Sequence, residues 1–349
     1  MLKKFQAFFK PLSQRIGPFN LFVWALLGFY LLPVAFMVVT ALMSTDQLSD
    51  PNAPLYPAKA VSFHYQGTDY RVYSVPTPEG VKEWALVVKH LKASQFVDPQ
   101  HPETGLIDWD GNWRALKAVY EFSPTWENFL ILAKAVPLDR MLSVTLFMAV
   151  LGGFGVLTSS ILVAYGFSRF PIPGGNLLFY ALIATILIPE KVTYIPTYFF
   201  YANFLHWRGT LYPLILPYFF GNAVYIFLLR QNFMSLPIDL EEAAMIDGAG
   251  PLRRLFSIVL PQSWPVVVTV SILHFFYIWN ETQQASLYLT GSPLLMPISF
   301  GVQTYQSRVP IQNVIEAASI VVLIIPIIVL FVSQRLFMQG MVITKELDK

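Results

Sequence analysis

The chain has 349 residues, 55% hydrophobic and only 13% charged, with a formal net charge of +2 and a mean hydropathy of +0.53. Soluble domains carry nearer ~25% charged residues, so this composition belongs in a bilayer. The absence of cysteine excludes disulfides, thiolate metal sites and thiol nucleophiles, and no Lys/Arg cluster is dense enough to bind nucleic acid.

Residues 1–19 carry Lys3, Lys4, Lys10 and Arg15 with no acid, interleaved with Phe5, Phe8, Phe9 and Leu12. Two readings stand: a cytoplasmic basic amphipathic segment lying on an anionic leaflet, or a merely basic disordered start. The apolar stretch that follows exceeds a signal-peptide core and lacks an Ala-x-Ala site, so residues 20–43 are predicted to stay as transmembrane helix 1.

Residues 44–140 are water-soluble in composition and are predicted to form an external insert and loop between helices 1 and 2. The spacing predicts a helix over 81–94, while 60–75 alternates as short strands do. Asp98, His101, Glu103, Asp108 and Asp110 have no regular ligand spacing and read as a solvated acidic loop rather than a metal site.

Further apolar windows lie near 141–167, 177–200, 211–234, 264–288 and 314–338, each near the ~20 residues that span a hydrocarbon core. With the first, they predict an all-α polytopic membrane protein of six transmembrane helices. Its core covers 141–338 and a tail covers 339–349. The third window is interrupted by Pro189-Glu190-Lys191 and Pro196. Six spans put both termini on one side. Lys3, Lys4, Lys10, Arg15, Arg169, Arg253, Arg254, Arg335, Lys345 and Lys349 fall on that side, against chiefly Arg208 and Arg308 opposite, so the termini are predicted to be cytoplasmic.

The loop 237–261 is the polar island of this core and reads as two short helices. Asp239 is placed to cap the first, with Glu242 closing a capping box; Gly248 and Gly250 break it, Pro251 starts the second and Pro261 stops it. Leu240, Ala243, Ala244 and Gly248 share a side with almost no bulk, either the face of an ordinary loop helix or one that another backbone approaches closely.

Asn280-Glu281-Thr282-Gln283-Gln284 ends the fifth window. Polar groups at membrane depth are costly unless they face protein or water, so Asn280, Glu281, Gln283 and Gln284 read either as a translocation path or as an interfacial run. Glu190 beside Pro189 is a further path candidate, with packing or gating as its other reading. No His-x-x-x-His, Gly-x-Ser-x-Gly or Gly-x-x-x-x-Gly-Lys pattern occurs, which leaves no catalytic, cofactor or metal residue to name.

Glu242-Ala243-Ala244, then Gly248, nine residues, and Ile258-x-Leu260-Pro261 resembles the signature loop of importer-type ABC permeases. Phe122-Ser-Pro-Thr-Trp-Glu-Asn-Phe129, Ala164-Tyr-Gly-Phe-Ser-Arg-Phe-Pro-Ile-Pro-Gly174, Ile188-Pro-Glu-Lys-Val-Thr-Tyr-Ile-Pro196 and Trp279-Asn280 resemble segments of its carbohydrate-importer subfamily, with the subunit similar to the maltose-type G permease. The resemblance covers about 122–349; the insert 44–121 has no counterpart in it, and Phe204–Thr210 replaces a usual Leu-Gly turn.

The resemblance implies a MetI-like ABC permease fold in a bacterial or archaeal inner membrane and import of a sugar or oligosaccharide. The implied partners are a second homologous permease, two ATPase subunits that carry ATP-Mg, and an extracytoplasmic substrate-binding protein. It also implies that Glu241, Glu242, Ala243, Ala244, Asp247, Gly248, Ala249, Ile258, Leu260 and Pro261 couple to an ATPase. The alternatives are an ABC permease for a non-sugar solute, or an ion-coupled secondary transporter or channel using Glu190, Lys191 and Glu281.

Overall fold

In the computed structural model of the chain, which describes residues 17–90, 93–308 and 311–347, two units separate: 1–134 with 310–320, and 135–309 with 321–349. All but the last three residues of the predicted 1–19 segment lie outside the described residues.

The first unit begins with α1 (Pro18–Ala41), apolar on every side and with Pro at its first turn, where the missing N–H costs nothing. The insert then departs from the all-α expectation, because eight described strands lie between 58 and 122. β1 (Ala58–Ala60) pairs antiparallel with β8 (Tyr120–Phe122). A second antiparallel sheet runs in the order β2 (Ser62–Tyr65), β3 (Thr68–Thr77), β4 (Gly80–Val88), β5 (Ala93–Val97), β6 (Ile107–Asp110), with β7 (Lys117–Ala118) also on β3. Gln66 and Gly67, at φ 48° and 84°, make the β2–β3 turn in the left-handed region whose twist matches flanking strands.

The helix predicted over 81–94 is overturned by β4 and β5. Trp84 and Leu86 point to one side, into a cluster with Val75, Phe96 and Leu116, while Ala85 points to the other with Val72 and Val97. An apolar run buried on both faces of a central strand lacks alternation and is indistinguishable by period from one side of a helix. The strand predicted within 60–75 is present as β2 and β3.

α2 (Glu127–Ala135) follows the sheet. Its buried Asn128 donates from Nδ2 to the carbonyls of Ala41 (2.7 Å) and Met43 (2.8 Å), satisfying orphan acceptors at the end of α1. Asn313 adds a third donor, from its Nδ2 to Met43 O (3.1 Å) and Asn128 Oδ1 (2.8 Å).

The second unit is helical. α3 (Leu138–Arg169) has 32 residues, about 48 Å at 1.5 Å per residue. After it come α4 (Gly175–Ala184), α5 (Glu190–Phe199), α6 (Ala223–Ser235), α7 (Asp239–Ile246), α8 (Pro251–Arg254), α9 (Trp264–Trp279), α10 (Gln283–Leu289) and α11 (Ile298–Arg308). The last helix, α12 (Gln312–Leu347), begins in the first unit and runs to Leu347, into the 339–349 segment predicted as a tail.

Val156, Ala164 and Tyr165 of α3, Tyr225, Ile226, Leu229 and Phe233 of α6, and Val267 and Val270 of α9 form one buried cluster. Gly155 lets the Phe219 ring approach so closely that a Cβ would lie 2.6 Å from it.

Among the described residues, four helical segments are long and apolar enough to cross a membrane unaided, and six are counted only if each of two bent pairs is one span. The first pair, Gly175–Leu187 and Glu190–Phe204, turns by 93°. The break falls at Ile188–Pro189, because proline forces the residue before it out of the helical region: Ile188 has ψ 116°. The second pair, Pro251–Gln262 and Trp264–Trp279, turns by 82°.

Candidate functional site

The 237–261 loop forms two helical stretches about a glycine turn. α7 starts one residue earlier than the cap chemistry predicts: Ile238 is its N-cap, no side chain caps it, and the Asp239–Glu242 box does not form. Asp239, Glu241 and Glu242 all lie in the first turn, where the helix dipole favours acids. Glu241 supplies the anchor instead. It is 2% exposed, its Oε1 accepts from Arg169 Nε at 2.6 Å, and its Oε2 accepts from the Tyr165 hydroxyl at 3.3 Å. Both donors sit near the C-terminal end of α3, so a buried ion pair pins α7 to the longest helix of the unit.

The other end of α7 is a Schellman turn. Ala249 N donates to Ala244 O (2.8 Å) and Gly248 N to Met245 O (3.0 Å), with Gly248 at φ 78°. Gly248 is therefore required by backbone geometry. Past Pro251, a π-turn at Leu255–Val259 leads into Leu260–Gln262. Pro261 does not stop the helix as predicted; the wider turn ahead of it accommodates a ring without an N–H, and the bend comes at Ser263.

Of the residues implied for coupling, Glu242, Ala243, Asp247, Gly248 and Pro261 are exposed, Ala244, Ala249, Ile258 and Leu260 are half-buried, and Glu241 is turned inward. Sequence reasoning placed Leu240 on this surface but missed the other apolar side chains beside it. Leu240, Met245, Leu252 and Phe256 are exposed, and Ile246 is 88% exposed.

The polar run after α9 divides. Glu281 is buried and its Oε1 accepts from Gln284 N at 2.7 Å, so it caps α10. Asn280 turns back, its Nδ2 donating to Phe276 O at 2.8 Å, and Gln283 Oε1 accepts from the Tyr194 hydroxyl of α5 at 3.1 Å. Gln284 and Glu190, 94 positions apart in sequence, are brought together on the wall of a cavity of about 200 Å³. Tyr218, Asn222, His274 and Tyr277 also line it; of these only Tyr277 is of a type that sequence reasoning placed on the path, because the convergence of the others depends on how α6 and α9 pack on α3. A glycine pair opposite an aromatic-rich span was the available signal: a Cβ at Gly152 would lie 3.1 Å from the Tyr218 ring and 3.2 Å from His274 Nε2.

The family model described as "Binding-protein-dependent transport system inner membrane component" matches residues 156–343. The sn-glycerol-3-phosphate transport system permease protein UgpE of Yersinia pestis is 36% identical over 216 residues, 60% of this chain and 74% of that protein. The probable ABC transporter permease protein PH1036 of Pyrococcus horikoshii is 28% identical over 235 residues, 64% of this chain and 82% of its own length. In the crystal structure of a bacterial ABC transporter involved in import of the acidic polysaccharide alginate, one chain superposes with a TM-score of 0.62 at 18% identity, covering 91% of this chain and 96% of that one. Coverage of that extent includes part of the 44–121 insert, so the insert does have a structural counterpart, at the level of fold.

Proposed function

Since the chain belongs to the family of binding-protein-dependent transport system inner membrane components, we propose that it is the permease subunit of an ATP-driven importer whose solute is a sugar or oligosaccharide. In this reading each bent pair is one span, giving six. The termini and the 237–261 loop are cytoplasmic and the insert external, as the Lys/Arg bias argues. The partners are a second permease, two ATPase subunits with ATP-Mg, and an extracytoplasmic binding protein. Relatives named for sn-glycerol 3-phosphate support a polyhydroxylated solute.

One observation carries the coupling role: Arg169–Glu241 pins α7 to α3, while Leu240 and Ile246, ~100° and ~140° round the helix from Glu241, are exposed. A helix so held moves as a rigid lever, passing a displacement at its outer face into α3. The small side chains of Ala243, Ala244 and Gly248 let an ATPase groove close on it.

Ile246→Asp tests this. The residue is 88% exposed, so the change does not disturb the core. A carboxylate there should abolish ATP-dependent uptake and co-purification of the ATPase while the permease still inserts; full uptake with a retained ATPase would reject α7 as the docking element.

A further inference from the structure

The turn between α3 and α4, together with the end of α6, forms a cleft of about 310 Å³ lined by Phe167, Phe170, Ile172, Gly174, Leu177 and Arg230 among others. Arg230 is its one charged residue; no carboxylate lines it. The Arg230 Nε donates to Phe167 O at 3.3 Å, and the guanidinium lies over the Phe179 ring, 4.1 Å from the centroid. These two contacts hold the side chain in place. Neither Nη has a hydrogen-bond partner among the described residues, and neither is buried.

Arg169, close by in sequence to the cleft, is different: Glu241 neutralises it. Arg230 keeps its positive charge uncompensated, with its terminal nitrogens free to donate as a planar fork. That fork matches the oxygens of a phosphate group, which it can bind two at a time.

The surroundings decide what carries the phosphate. Phe170, Ile172, Leu177, Leu178 and Tyr180, on the turn and on α4, are all exposed. An apolar surface beside a lone cation suits an amphiphile rather than a free ion in water. Arg230 also lies at the right depth. It is five positions before Ser235, where the candidate span Tyr212–Ser235 ends, and so ~8 Å from that end. The headgroup layers add roughly 5–7 Å to each side of a ~30 Å hydrocarbon core, and arginines near helix ends extend their charge into them.

We infer that this cleft binds the phosphodiester headgroup of an anionic phospholipid such as phosphatidylglycerol, with Arg230 as the phosphate ligand and the acyl chains lying along the exposed side of α4. The site is independent of the transported solute and needs only that the chain sits in a bilayer. In the six-span arrangement it faces the cytoplasmic leaflet, whose anionic lipids attract such a cation.

The test uses the detergent-solubilised full chain, titrated with phosphatidylglycerol or phosphatidylcholine, with bound lipid counted by native mass spectrometry. The wild type should bind phosphatidylglycerol more tightly than phosphatidylcholine, whose headgroup adds a cation beside the guanidinium. Arg230→Gln should weaken phosphatidylglycerol binding about tenfold and abolish the preference, while Arg230→Lys should keep most of it. Leu177→Glu places a like charge for the phosphate at the wall of the cleft. Leu177 is 75% exposed, so this variant folds even if Arg230→Gln does not, and it should also weaken phosphatidylglycerol binding. A large excess of inorganic phosphate should leave the lipid bound, because the chains contribute to its binding.

Equal binding of the two lipids by the wild type, or phosphatidylglycerol binding unchanged in Arg230→Gln or in Leu177→Glu, would overturn the site. Displacement of the lipid by inorganic phosphate would overturn its assignment to a lipid and make it a site for a free anion.

Discussion

The side chain that most changes the interpretation of the loop is Glu241. It stands next to the signature Glu242 and is of the same type, yet one carboxylate is buried on Arg169 and the other is exposed. Sequence order makes the two acids equivalent; only the docking of α7 on α3 separates them, because consecutive helical positions differ by ~100°. Removing one member of a buried pair strands the other without a counter-charge, at about 3–5 kcal/mol, whereas replacing both with apolar groups is often neutral. Arg169→Met or Glu241→Met alone should therefore lower the melting temperature of the detergent-solubilised permease, and the double variant should recover most of it. A double variant no more stable than the worse single variant would show that the pair is not an isolated two-body contact. Gly248 is the opposite case. Its glycine was legible as a helix stop, and the Schellman turn with φ 78° gives that stop its geometry.

Among the elements, those whose polarity varies along the chain were the readable ones. The long apolar helices, the break at Pro189 and the start of α8 at Pro251 follow from local chemistry. The insert was legible only in part, since β4 is apolar on both faces and its pairing with β3 and β5 is non-local. One bond ties its last strand back to its beginning: the Tyr120 hydroxyl donates to Asp50 Oδ2 at 2.8 Å. Burial, and then this bond, push the Tyr120 phenol up to about 12 from its ordinary 10. A group whose folded pKa is raised stabilises fully below its unfolded value, so this contribution is complete below pH 10 and disappears as pH rises through about 12. Alkaline titration of the full chain by tyrosinate absorbance should show one late-titrating phenol missing in Tyr120→Phe. The wild type should lose more thermal stability than the variant between pH 10 and 12; parallel losses would mean that Tyr120 is not linked to folding.

For the molecule as a whole, the two bent pairs decide how many times the chain crosses the bilayer. Three candidate crossings lie between the insert and α7: Leu138–Arg169, the 93° pair, and Tyr212–Ser235. An odd number puts the insert and α7 on opposite sides; if the 93° pair is re-entrant the number is two and they share a side. The same parity argument applies to the 82° pair, which lies between α7 and the exposed Ser307 on α11. Composition leaves this parity undetermined, because a proline-broken apolar stretch suits a broken span and a re-entrant loop alike. A chain without cysteine is a clean background for the measurement. Single cysteines at the exposed positions Glu103, Asp247 and Ser307 each report one side to a membrane-impermeant maleimide. The six-span arrangement expects Glu103→Cys and Ser307→Cys to react in intact cells whose outer barrier has been removed, and Asp247→Cys to react only after the membrane is permeabilised. Labelling of Asp247→Cys from outside would make the first bent pair a re-entrant loop and remove the cytoplasmic docking role of α7. Protection of Ser307→Cys alongside Asp247→Cys would instead make the second pair re-entrant while leaving α7 within reach of an ATPase.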